Sequence, residues 1–157
     1  MAYKVFLSLS EADKQWVEWI RANAQNIGIE VYMYEYDPQP GNYVSSKIQR
    51  AIDDCHALIV LLTSNSQFSP YVHEEIGYAL SKSKLVIPLV QPGVSQKALA
   101  MLLGRDYIVF NTATAQDALS QLLNYLSRLK ESHESDQTVL LALGALLVIG
   151  VIASQQK

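Results

Sequence analysis

Cysteine is almost absent: Cys55 is the only one in 157 residues. A single thiol cannot form an internal disulfide, and the C-x-x-C and Cys/His clusters typical of zinc sites are missing. The three histidines, His56, His73 and His133, do not have metal-ligand spacing, so no metal site is predicted. The sequence also lacks G-x-G-x-x-G and a P-loop, which excludes the Rossmann fingerprint and the Walker A phosphate site.

An excess of positive charge is missing as well. The chain has 12 Lys and Arg against 15 Asp and Glu, a net charge of −3, and its basic residues are scattered. Nucleic acid is therefore not expected as a partner. Residues 1–10 lack a charged start, a long apolar run and a small-residue cleavage site, so no signal peptide is predicted and the domain is expected in the cytosol. Half of the residues are hydrophobic, enough for one domain with a sizeable core.

Short apolar runs alternate with helical patterns five times, which predicts an α/β domain over residues 1–130. The run at 56–62 is apolar without alternation, as in a central parallel strand buried on both faces, whereas Pro88 indicates an irregular or edge position. The expected fold is a flavodoxin-like five-stranded parallel sheet with helices on both faces. A site is expected in the loops after the first three strands. The predicted strands are 3–9, 29–33, 56–62, 85–90 and 107–110, and the predicted helices are 11–26, 43–53, 69–82, 95–103 and 115–130.

The C-terminal segment has a different composition. Residues 131–137 are polar and are interpreted as a linker, whereas residues 138–153 carry no charge. As a helix, these 16 residues span about 24 Å, slightly less than the roughly 30 Å of a bilayer core. We interpret residues 138–154 as a transmembrane helix, which predicts a tail-anchored membrane protein with its domain in the cytoplasm. The alternative is a helix that packs within an oligomer.

One acidic side chain lies at the margin of a predicted apolar helix face. In the helix that starts at Ser69-Pro70, Glu75 falls roughly 60° from Val72, at about 100° per residue. Glu74 falls roughly 160° away, toward solvent. Partial burial near the helix N-terminus and the strand ends would tune the pKa of Glu75, as in catalytic carboxylates. The alternative is a boundary glutamate in a salt bridge.

Three segments together resemble a known family. VFLSLSEAD is similar to the opening strand and acidic helix start of the Toll/interleukin-1 receptor (TIR) domain. VYMYEYDPQPGNYVSSKIQRAI resembles its second strand and Pro-Gly-containing BB loop, and HALIVLLTSNSQFSPYVHEEI resembles its third strand and the motif of serine, aromatic and glutamate. The resemblance extends to about Phe110.

The resemblance implies an enzymatic function. Many TIR domains cleave NAD⁺ with a glutamate four residues after the motif's aromatic, and here Tyr71 precedes Glu75 at that distance. Glu75 is therefore the candidate catalytic residue of an NAD⁺ glycohydrolase or ADP-ribosyl cyclase. The products would be ADP-ribose, a cyclic ADP-ribose or a related signal in antiviral immunity, as in bacterial antiphage systems. NAD⁺ is expected as substrate, with no cofactor.

The resemblance also indicates supporting residues and partners. Candidate substrate-binding residues are Ser8 and Ser10 after the first strand, Glu35, Tyr36 and Asp37 in the BB loop, and Tyr71. In the family, activity follows self-association, so other TIR domains are expected as partners in a homo-oligomer or filament. Two alternatives stay open: a non-catalytic adaptor that binds other TIR domains at a membrane, and an enzyme related to nucleoside deoxyribosyltransferases. A phosphoacceptor receiver domain is disfavoured, because no aspartate follows Leu62.

Overall fold

The computed structural model describes residues 2–33 and 44–155, with the side chains of 44–45 and 138–155 excepted. The strands are β1 (Tyr3–Ser8), β2 (Ile29–Tyr32), β3 (Ala57–Leu62), β4 (Leu85–Val90) and β5 (Ile108–Val109). The helices are α1 (Val17–Asn26), α2 (Val44–Asp53), α3 (Pro70–Ser81), α4 (Gln96–Leu99) and α5 (Ala115–Gln155). Short 3-10 helices cover Glu11–Trp16, Ala100–Leu102 and Thr112–Thr114.

The five strands form one parallel sheet in the order β2-β1-β3-β4-β5. This arrangement confirms the predicted α/β fold. All six residues of β3 are buried, as expected for a central strand covered on both faces.

The two faces of the sheet can be separated by the alternation of side chains along each strand. Phe6 of β1 and Leu58, Val60 and Leu62 of β3 belong to a core cluster that includes side chains of α2, α3 and α4. Ile59 and Leu61 point to the opposite face and are also fully buried. Ser8, two residues after Phe6, therefore lies on the face that α3 covers.

Pro88 was expected at an irregular or edge position, yet β4 lies between β3 and β5. The reason is local. The backbone of Phe110 donates to the carbonyl of Val90, so the even-numbered residues of β4 direct their backbone groups toward β5. Because β5 pairs only with Leu89 and Val90, the missing N–H of Pro88 faces a stretch where no partner strand has begun.

The predicted helix 11–26 divides into a 3-10 helix, Glu11–Trp16, and α1. At its start the backbone N–H of Asp13 donates to the carbonyl of Ser10 at 3.0 Å, which is the i−3 bond of a 3-10 helix. At its end Gly28 adopts a φ of 76°. This left-handed conformation after the last helical turn favours glycine.

The predicted membrane location is wrong. Within the part of the chain that the structure describes, no helix is both long enough and apolar enough to cross a membrane. The physical reason is length: the apolar stretch from Val139 to Ala153 has 15 residues, whereas a bilayer span needs about 20. Residues 131–137, interpreted as a linker, are helical and continue α5. They contain no glycine or proline, and Lys130 and Glu134 form an i,i+4 ion pair at 3.8 Å.

Candidate functional site

The strand order reverses between β1 and β3, which are adjacent in the sheet: the chain places β2 on one side of β1, and β3, β4 and β5 on the other. Crossovers on either side of that point leave the sheet in opposite directions, so their loops diverge and leave a crevice beyond the carboxyl ends of the strands. Ser8 ends β1 at this edge, and β3 ends at Leu62. This edge lies beside the first turns of α3, where the candidate glutamate is found.

Glu75 is buried: 8% of its surface is exposed. It lies in the second turn of α3, between Val72 and Ile76 of the core cluster. Burial raises the pKa of the Glu75 carboxyl to about 7, because the charged form loses its hydration. The nearby Ser8 hydroxyl opposes this rise in pKa, and the neighbouring charge of Glu74 adds to it. A carboxyl with such a pKa can exchange its proton near neutral pH.

Ser8 is the second member of this pair. Its side chain is 1% exposed, and its Oγ forms no hydrogen bond of standard geometry with any described residue. It is nevertheless close enough to Glu75 to lower the pKa of that carboxyl. Buried hydroxyls without a partner are unfavourable and rare, which marks Ser8 as a candidate for contact with a bound molecule. The structure brings together Ser8 and Glu75.

The start of α3 fixes the position of Glu75. Ser69 is the N-cap, and its Oγ accepts a hydrogen bond from the backbone N–H of Val72 at 3.4 Å. Pro70 occupies the first helical position, where its missing N–H is not needed. Tyr71 comes directly after Pro70 and lies one helical turn before Glu75. Its surface is 67% exposed. Its ring is therefore available for contact with a ligand or with another protein.

Ser10 is also placed at this edge, but its hydroxyl is engaged. It donates to Oδ2 of Asp13 at 3.1 Å. Ser10 thus contributes to a hydrogen-bond network rather than to a free polar surface. Glu35, Tyr36 and Asp37, the other candidates, lie outside the described residues.

Asp13 is a residue that the sequence analysis missed. It is 3% exposed and accepts hydrogen bonds from Ser10, from Oγ1 of Thr63 at 2.7 Å and from Nδ2 of Asn65 at 2.9 Å. The available signal was the spacing Ser10-x-x-Asp13, which resembles a capping box. That pattern indicates a helix start but gives no sign that the carboxylate is buried against another loop.

Metal chemistry has no ligand set in the described residues. No group of three or more His, Cys, Asp or Glu side chains there could hold a metal ion. Cys55 is buried, and burial raises the pKa of its thiol to about 11. This thiol therefore stays protonated at neutral pH and is a poor nucleophile.

A family model for the TIR domain matches residues 5–123. The chain belongs to the TIR domain family. The match includes Ser8, Asp13 and Glu75, so the whole candidate site lies within the TIR domain. No curated protein matches this chain.

Solved structures agree on the fold. The TIR domain of the Toll-related receptor TRR-2 from Hydra magnipapillata aligns with a TM-score of 0.62 and 17% identity, covering 80% of this chain and 98% of that one. The CMP N-glycosidase BcmB from Clostridium botulinum aligns with a TM-score of 0.59 and 23% identity, covering 76% and 97%. A prokaryotic SEFIR domain aligns with a TM-score of 0.54 and 16% identity, covering 78% and 97%. At these identities the likeness concerns the fold alone.

Proposed function

We propose that this TIR domain is an NAD⁺ nucleosidase that cleaves the bond between nicotinamide and ribose. The observation that carries the proposal is the buried Glu75 carboxyl beside the Ser8 hydroxyl, which has no hydrogen-bond partner of standard geometry among the described residues. Perturbed carboxyl groups of this kind, at the strand ends of an α/β sheet, are typical of active sites. Membership of the TIR family supports the same residue, since the glutamate follows the aromatic Tyr71 by four positions.

The chemistry suits a single carboxylate. Nicotinamide in NAD⁺ is cationic, so it departs with the electrons of the C1′–N bond and needs no proton from an acid. The sugar passes through an oxocarbenium-like transition state, as in glycoside hydrolysis. The Glu75 carboxylate would stabilise this positive charge in a site of low dielectric. Water then adds at C1′ and releases a proton, which gives ADP-ribose; attack by the adenine ring gives a cyclic ADP-ribose.

The raised pKa of Glu75 is consistent with this role. A buried carboxylate without a cationic partner is unfavourable, so the arrival of a positive ring stabilises the anion and lowers its pKa. Ser8 would donate a hydrogen bond to a ribose hydroxyl or to the carboxylate. The structural neighbour BcmB is a CMP N-glycosidase, which supports N-glycosidic bond cleavage as a chemistry that this fold can perform.

The biological setting of the proposal is antiviral immunity of the bacterial antiphage type, with activity switched on by self-association of TIR domains. The product would act as a signal, or the reaction would deplete NAD⁺. Tyr71 is exposed one helical turn before Glu75 and is proposed to contact the substrate.

The test is nicotinamide release from NAD⁺ by the purified full-length chain, with products identified by mass spectrometry. Glu75→Gln removes the carboxylate but keeps its shape, and we expect release to fall by at least about 100-fold. Glu74→Gln is the matched control: it changes an exposed carboxylate one position away and should leave release unchanged at pH 9, where Glu75 is ionised with or without the Glu74 charge. If the wild-type protein releases no nicotinamide over a wide range of protein concentration, the non-catalytic adaptor becomes the better interpretation.

A further inference from the structure

Five polar or charged residues are buried among the described residues, and three of them belong to one network away from the Ser8–Glu75 pair. They are Asp13, Thr63 and Ser66. Thr63 and Ser66 follow β3, whereas Asp13 lies in the 3-10 helix after β1. The network therefore connects two loops at the carboxyl edge of the sheet.

The Asp13 carboxylate is held by neutral donors. Oδ2 accepts from the hydroxyls of Ser10 and Thr63, and Oδ1 accepts from the amide of Asn65. Among the described residues, no Lys, Arg or His forms an ion pair with it. A buried carboxylate needs such bonds to compensate for lost hydration, so its position is set by these three donors.

One arm of the network leads to Glu75. With its proton directed to Asp13, Thr63 Oγ1 accepts from the backbone of Asn65 at 3.1 Å. The backbone N–H of Thr63 donates to Ser66 Oγ at 2.8 Å. The carbonyl of Ser66 accepts from the backbone N–H of Ser69 at 2.9 Å. Ser69 is the N-cap of α3, the helix that carries Glu75.

The other arm leads to Ser8. The hydroxyl of Ser10 donates to Asp13, and the carbonyl of Ser10 accepts from the backbone N–H of Asp13 at 3.0 Å. Ser8 lies two residues earlier in the chain, at the end of β1. Both halves of the candidate site are therefore tethered to one buried carboxylate.

We infer that Asp13 is a positioning residue, which sets the spacing between the Ser8 hydroxyl and the Glu75 carboxyl through the loops that follow β1 and β3. This inference rests on the proposed function for its kinetic consequence, although the environment of the Glu75 carboxyl can be measured without turnover. Displacements of about 1 Å in an active site can cost about 100-fold in rate. Loss of Asp13 should thus lower kcat more than it raises KM.

The test compares Asp13→Ala, Asp13→Asn and the control Glu11→Ala in the full-length protein. Glu11 is an exposed carboxylate on the same 3-10 helix, and its side chain contacts Lys14. Asparagine keeps one oxygen for Ser10 and Thr63, and the Asn65 amide can turn to accept from the new N–H₂ group. We expect kcat for nicotinamide release to fall about 10- to 100-fold in Asp13→Ala, to recover largely in Asp13→Asn and to stay unchanged in Glu11→Ala.

A second measurement does not depend on turnover. In protein carrying ¹³C-labelled glutamate, the carboxyl signal of Glu75 is assigned by its disappearance in Glu75→Gln and followed through a pH titration. In Asp13→Ala we expect its pKa to fall from about 7 toward the ordinary value of 4.5, because a displaced carboxyl is better hydrated. If Asp13→Ala does not fold, Thr63→Val serves instead, since it removes one donor with little change in shape.

The outcomes are distinguishable. If Asp13→Ala lowers the melting temperature but leaves both kcat and the Glu75 titration as in the wild type, Asp13 is merely structural and the inference is overturned. If the wild type releases no nicotinamide while the Glu75 titration still responds to Asp13, the proposed reaction is wrong and the positioning role stands. If release depends on Glu75 and both readouts respond to Asp13, the two are supported together.

Discussion

At the scale of single residues, Glu75 combines a buried position with a pKa of about 7. The folded protein therefore holds the proton of Glu75 more tightly than the unfolded chain, in which the pKa is near 4.5. Between these two values the folded state binds more protons, so the contribution of Glu75 to stability declines as pH rises. It is fully present below about pH 4.5 and is lost above about pH 7.

Glu75→Gln should thus stabilise the protein at high pH. At pH 8 the wild type carries an ionised buried carboxylate that costs up to about 3 kcal/mol, whereas glutamine carries no charge. We expect the free energy of unfolding, measured with urea, to be higher in Glu75→Gln at pH 8 and nearly equal to that of the wild type at pH 4.5. In the control Glu74→Gln the buried carboxylate remains, so the gain at pH 8 should be much smaller and limited to the loss of the Glu74 charge. A uniform destabilisation at both pH values would contradict the burial of this charge.

Ionisation of Glu75, which lowers stability as pH rises, should raise the enzymatic activity. The proposed reaction needs the carboxylate, so kcat/KM for NAD⁺ should rise about tenfold per pH unit below the pKa of Glu75 and level off above about pH 7. The corresponding rise in kcat should occur at lower pH, because the bound cationic ring stabilises the carboxylate and lowers the pKa of Glu75 in the substrate complex. Initial rates between pH 5 and 9 measure both limbs. A flat profile over this range would mean that Glu75 does not need to ionise for the reaction.

At the scale of elements, α3 depends on its first turn for the placement of Glu75. Ser69→Ala removes the cap that accepts from Val72 and should lower the free energy of unfolding by about 1 kcal/mol. Ser64→Ala is a suitable control, since Ser64 is exposed and lies in the same loop between β3 and α3. Its hydrogen bond with Gln91 is made by the backbone N–H and not by the hydroxyl, so the substitution leaves that bond in place. Thermal unfolding of the two variants measures the difference. Equal melting temperatures would show that the Ser69 contact at 3.4 Å does not cap the helix.

The strands and the catalytic candidate could be predicted because each has a strong local pattern. β3 is a continuous apolar run, and helical spacing alone placed Glu75 at the margin of an apolar face. By contrast, the buried Asp13 carboxylate is bonded to Thr63, 50 residues away. Local sequence carries no record of such a bond, so tertiary contacts decided the structure there.

The C-terminal segment shows a different limit. The absence of charge clearly distinguishes residues 138–153 from the rest of the chain. Composition alone does not choose between a short membrane span and a packing helix, because both are uncharged. The structure continues α5 to Gln155, and the described residues include no helix able to cross a membrane. The apolar stretch from Val139 to Ala153 has 15 residues, fewer than the about 20 that a bilayer span needs.

At the scale of the whole molecule, Ser8 comes from β1 and Glu75 from α3. The resemblance to other TIR domains leads us to expect that a neighbouring copy of the chain supplies the remaining contacts between the site and the substrate. In that case a protomer is active only when assembled. At low concentration the assembled fraction of a dimer rises in proportion to concentration, and the total rate rises with its square.

Specific activity should therefore increase with protein concentration and then reach a plateau. We expect this increase over a roughly 100-fold range of concentration, with its midpoint at the dissociation constant that sedimentation gives for the same samples. Glu75→Gln protein, mixed in excess with the wild type, provides the sharper test, because it can assemble but cannot ionise at this position. If assembly completes the site, the inactive partner raises the activity of a dilute wild type. A constant specific activity over a range in which sedimentation shows dissociation would instead mean that one copy holds the complete site, since mass action can affect the rate only through an assembled state.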